Sequence, residues 1–131
     1  MKTIRWGWVL LGGFVAELIV FAIVIPIAIF AGQDSLLYAA APASLIATFV
    51  CGWWVAKKAT HRPLLHGLLV GAAAVVIYVA MSLARPEPLA YIIAHALKLV
   101  GGVAGGYVSW RRQQGRQAPV IQSRNLRQTQ E

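Results

Sequence analysis

The chain has 131 residues, of which 59% are hydrophobic and only 12% charged, with a formal net charge of +8. That composition excludes an ordinary soluble domain, in which about 25% of residues are charged. It points to an all-α membrane protein, because lipid cannot hydrogen-bond a free backbone and long apolar runs must be helical there.

Four apolar stretches predict transmembrane helices at about 6–30, 36–56, 64–84 and 89–110, which together make one domain over residues 1–110. Each has about 20 residues or more, enough to cross about 30 Å of hydrocarbon at about 1.5 Å per residue. The first follows Lys2 and Arg5. A signal peptide is the competing reading of this segment, but its apolar core would be about twice the usual length and would hold Glu17, so a retained helix is expected. Gly13 lies one turn before Glu17, and Pro26 falls inside the same stretch.

Asp34 and Ser35 are expected to cap the second helix, whose Ala41, Ser44, Thr48 and Gly52 form a small-residue stripe. Pro42 sits inside this helix, and Cys51, the single cysteine, reads as an inert core residue. Prolines 26 and 42 each free a carbonyl one turn earlier, and kinked helices of this kind are common in structural membrane bundles. Lys57, Lys58 and Arg62 connect to the third helix, where Pro63 suits a first turn and Gly67, Gly71, Ala74 and Tyr78 share a face. His66 reads as interfacial.

Arg85, Glu87 and Pro88 precede the fourth helix. At 100° per residue its Tyr91, Ala94, His95, Lys98, Gly102, Gly105, Gly106 and Ser109 fall on one arc, which is expected to face protein. The tail "RRQQGRQAPVIQSRNLRQTQE", residues 111–131, is polar and basic and is predicted to be largely disordered in the cytoplasm or against anionic headgroups. The similar endings "GWWVAKK" and "GYVSWRR" fit aromatic belts followed by basic residues at one membrane face, without requiring a duplication.

The basic residues explain the net charge without nucleic acid. They flank the N-terminus, the middle connection and the C-terminus, whereas the other two connections hold Asp34 and the mixed pair Arg85 and Glu87. The positive-inside rule then places both termini in the cytoplasm, and short connections predict an up-down-up-down bundle with the first and fourth helices side by side.

Two opposite charges lie within the spans. Glu17 is twelve residues beyond Arg5 and Lys98 thirteen before Arg111. Both are therefore roughly 18 to 20 Å inward along straight helices, at matching depth. Each charge alone costs about 2.5 to 3.5 kcal/mol at mid-span, so a mutual pair is expected. His95, one turn outward of Lys98 on the same face, is either hydrogen-bonded to a neighbouring hydroxyl or a proton relay.

The stretch "LGGFVAELI" resembles the first helix of the small multidrug resistance transporters, in which a glutamate after small residues exchanges protons for cationic drugs. The resemblance implies that Glu17 is a coupling carboxylate. Lys98 departs from that family's pattern, because a nearby cation opposes cationic substrates. Across "WWVAKKATHRPLLHGLLVG" and "LKLVGGVAGGYVSWRR" the chain resembles uncharacterised small four-helix inner-membrane proteins encoded in many bacterial genomes. That resemblance implies the bacterial inner (plasma) membrane and offers no activity.

The expected function is that of a non-enzymatic integral membrane protein acting through helix association, as a homo-oligomer or with a membrane-protein partner. Its small-residue seams at Gly13, Gly52, Gly67, Gly71, Gly102, Gly105 and Gly106 motivate this expectation. The alternative is a small proton-coupled transporter or channel using Glu17, Lys98 and His95. No serine base pairing or H-E-x-x-H motif is visible, and His61, His66 and His95 lack the close spacing of metal ligands. No enzyme, metal or cofactor is expected.

Overall fold

A computed structural model of the chain describes residues 4–59, 61–82 and 89–128, with the side chains of 33, 37, 90 and 116–128 left aside. Arg85, Glu87 and Pro88, expected at the entrance to the last helix, lie outside the described residues. The elements are α1 (Trp6–Ala31), a 3-10 turn (Gln33–Ser35), α2 (Leu36–Lys58), α3 (Pro63–Met81) and α4 (Leu89–Gln128). All four α-helices are long and apolar enough to cross a membrane.

Local chemistry sets the boundaries. Gly32 takes φ 84° just after α1, a conformation open to glycine, and ends the helix. Ser35 stands at the N-cap of α2, but its hydroxyl donates back to the Gly32 carbonyl and makes no cap bond, contrary to the capping role expected of it. Pro63 opens α3, where its missing N–H costs nothing. α1 and α2 continue as helices through Pro26 and Pro42.

α4 has 40 residues, about 60 Å at 1.5 Å each and twice the hydrocarbon thickness. Its backbone continues as helix to Gln128, where a disordered tail was expected. Gly115 and Pro119 disfavour helix there, but Arg, Gln, Ala and Leu are good helix formers, and extending a helix already nucleated upstream is far easier than starting one.

The packing differs from the expected arrangement in one respect. α1 and α4 are not neighbours: among the described residues no Cα pair joins them within 8 Å, while each packs on both α2 and α3. Glycines explain this. Gly101 and Gly105 form one row on α4, Gly102 and Gly106 a second row about 100° around the helix. A methyl group at Gly101 would meet Leu45 and Thr48 of α2, and one at Gly105 would meet Phe49 and Trp53. At Gly102 it would meet Gly67 of α3, and at Gly106 Pro63 and Leu64. α4 is therefore seated between α2 and α3 at backbone contact. α1 occupies the opposite side, with Gly12 against Val55 and Val70 and Gly13 against Ala73 and Ala74.

The core between them is small and apolar: Ala16, Val20, Ala47, Cys51, Val55, Val70 and Ala74. The outward faces carry large apolar side chains, including Leu10, Phe14, Leu18 and Ile25 on α1 and Ile92, Ile93 and Val100 on α4. Such a surface is suited to lipid rather than water.

Candidate functional site

Glu17 and Lys98 meet across this core. Lys98 Nζ lies 2.6 Å from Glu17 Oε1, and both side chains are only 2% exposed. Because α1 and α4 stand on opposite sides, the pair spans the bundle between α2 and α3. Gly71 makes this reach feasible, since its bare Cα accepts the Lys98 carbonyl and brings the α4 backbone inward. Gly13 does the same for α1 against Ala73 and Ala74, one turn from the carboxylate.

An aromatic cluster surrounds the amine. Lys98 Nζ sits 4.4 Å from the centroid of the Tyr78 ring, within cation–π range. Tyr78 stacks between Phe21 of α1 and Tyr91 of α4, each at 6.5 Å and 21°. His95 tilts against the same ring at 4.8 Å. Lys98 thus has two stabilising neighbours, a carboxylate and a π face. Glu17 is less well provided, because its Oε2 is buried without a hydrogen-bond partner.

The other residues singled out in the sequence are placed as follows. Gly52, Gly67, Gly71, Gly102, Gly105 and Gly106 all lie at helix crossings inside the chain, and Gly52 and Gly67 converge on Gly102. Ser44 and Thr48 are buried, the Thr48 hydroxyl donating to the Ser44 carbonyl at 2.7 Å. Cys51 is buried in the core and unpaired. Among the described residues no group of three or more His, Cys, Asp or Glu could hold a metal ion.

No protein-family model matches the chain, and neither a curated protein nor a solved structure matches it.

Three features escaped sequence reasoning. Gly101 pairs with Gly105 to form the glycine row that meets α2, a signal present in the "GGVAGG" spacing. His66 is 5% exposed, and its ring joins two helix starts: Nε2 accepts from the Arg5 backbone N–H at 3.5 Å, while Nδ1 lies 3.1 Å from the Arg62 carbonyl. The acceptor role of Nε2 places the proton on Nδ1, which then donates to Arg62. At the same end Lys58 lies 3.8 Å from the Trp8 ring and 4.6 Å from Trp54, and those rings meet edge-on at 5.5 Å.

Proposed function

We propose that this chain is a non-enzymatic integral membrane protein that works through assembly, with a second copy or a larger membrane partner, in the bacterial inner membrane. Its four helices cross in an up-down-up-down course with both termini cytoplasmic. The contact registers support that course: residue numbers rise together where α2 meets α4 and oppose where α3 meets α4. The flanking charges support the orientation.

The observation that carries the reading is the closed Glu17–Lys98 pair. Each charge is met by the other within one chain and shielded from solvent, so the pair fixes how the helices sit and offers no open ion to a substrate. The glycine seams that first suggested association are occupied inside the monomer. Association then falls to the outer apolar faces and to the part of α4 that projects beyond the bundle.

The test pairs crosslinking with transport. Crosslinking in native membranes should give a discrete higher species for wild type and for Glu17→Gln/Lys98→Met alike. Proteoliposomes loaded with a pH dye should leak no faster than protein-free vesicles. A wild-type proton flux lost on Glu17→Gln, with crosslinking unchanged, would reject assembly as the primary role.

One observation favours a second reading, a proton-coupled carrier. Glu17, Lys98, Tyr78, His95 and Tyr91 form a continuous polar and aromatic column running toward the opposite end of the bundle from the basic residues. The same flux experiment decides between the two.

A further inference from the structure

The end of the bundle that carries the basic residues holds a small cavity with two cations in its lining. Trp53 and Lys57 of α2 and Ser109, Arg112 and Gln113 of α4 line a cavity of ≈ 160 Å³. Lys57 Nζ lies 5.7 Å from the Trp53 ring centroid and the Arg112 guanidinium carbon 5.6 Å from the same centroid. Two cations thus share one indole. Neither has a carboxylate beside it among the described residues, where the acids are Glu17, committed to Lys98, and Asp34, beyond the other end of α2.

Ser109 supplies the second, independent sign of a ligand. It lines the cavity, is 2% exposed, and its hydroxyl has no hydrogen-bond partner. Buried hydroxyls are rarely left so, because desolvation without a partner costs more than the bond returns. Gln113 removes the one local feature that would repel an anion. Its side-chain amide donates to the Ala56 and Ala59 carbonyls at 3.4 and 3.3 Å, covering the negative end of α2.

We infer that this cavity binds the phosphate of an anionic phospholipid headgroup, held by Lys57 and Arg112 and accepting a hydrogen bond from Ser109. The inference rests on the proposed placement of this end at the membrane surface, where basic pockets between helices take such headgroups. A cavity this size is below the roughly 300 Å³ of small-molecule pockets, so it admits a headgroup fragment rather than a whole organic ligand. Trp53 sits where an interfacial indole meets headgroup and acyl chain.

The full chain in neutral detergent is titrated with dioleoylphosphatidylglycerol, dioleoylphosphatidylcholine and inorganic phosphate. Bound molecules are counted by native mass spectrometry, and folding is followed by thermal unfolding. Phosphatidylglycerol should fill one saturable site in preference to phosphatidylcholine. Lys57→Gln/Arg112→Gln should weaken it about 30-fold, from two lost interfacial cations. Ser109→Ala should weaken it about tenfold with no change of charge. Arg124→Gln/Arg127→Gln removes the same charge elsewhere and should leave affinity within about twofold of wild type. Equal weakening by the tail variant, unchanged affinity in both cavity variants, or phosphate binding as tightly as phosphatidylglycerol would each overturn the lipid site. None of these outcomes touches the assembly proposal, which crosslinking reads separately.

Discussion

Removing one member of the Glu17–Lys98 pair should be far more harmful than removing both, and the two single losses should differ. Lys98→Met leaves a carboxylate in a dry core with no other hydrogen-bond partner, a situation that costs about 3 to 5 kcal/mol. Glu17→Gln leaves the ammonium against Tyr78 at 4.4 Å, and a desolvated cation–π contact offsets about 2 kcal/mol of that, so the expected cost is smaller. Glu17→Gln/Lys98→Met leaves no buried charge and should fall within about 1 kcal/mol of wild type. The resulting coupling energy is about 5 kcal/mol, above the roughly 0.5 to 3 kcal/mol usual for residues in contact, because each single change strands a buried charge. Reversible unfolding in mixed micelles, followed by tryptophan fluorescence, measures all four corners of the cycle. Additive single effects, or a double variant as damaged as Lys98→Met, would refute the reasoning.

Four further outcomes are expected. Gly102→Ala sets a methyl against the Gly67 carbonyl and should cost about 1 to 3 kcal/mol in the same unfolding assay. Gly115→Ala, with nothing within 4 Å, should be neutral or stabilising by about 0.5 to 1 kcal/mol. His66→Phe removes the bonds to Arg5 and Arg62, which should lower stability by about 1 kcal/mol and speed amide exchange in the first turn of α1. On a Cys51→Ala background, a cysteine at Asp34 should react with a membrane-impermeant maleimide in intact cells while one at Lys57 should not; the reverse pattern would invert the proposed orientation.

The helices were legible because apolar length is a strong signal, and the matching depth of Glu17 and Lys98 followed from counting along them. Which helices would be neighbours was not legible. A polar, small-residue arc on α4 says that the face is buried, but not against what, and the usual bundle habit placed α1 beside it. The deciding detail was the doubling of glycines in "GGVAGG", which gives α4 two backbone-close faces about 100° apart and so two close partners. The burial of His66 was not legible for a different reason. Its position one turn from Arg62 speaks only to depth, whereas its burial depends on the Arg5 backbone arriving from another helix, a contact no local pattern encodes. The helical run past Trp110 was hidden because its residues show no apolar period and include Gly115 and Pro119, which disfavour helix.

The central claim is that the acid of α1 and the amine of α4 are bonded to each other inside a single chain. Solid-state NMR in lipid bilayers tests it directly, through the dipolar coupling between Glu17 Cδ and Lys98 Nζ in doubly labelled protein diluted into unlabelled protein. A nitrogen-to-oxygen separation of 2.6 Å requires a strong coupling that survives dilution. A coupling that is absent, or that vanishes on dilution, would contradict the account.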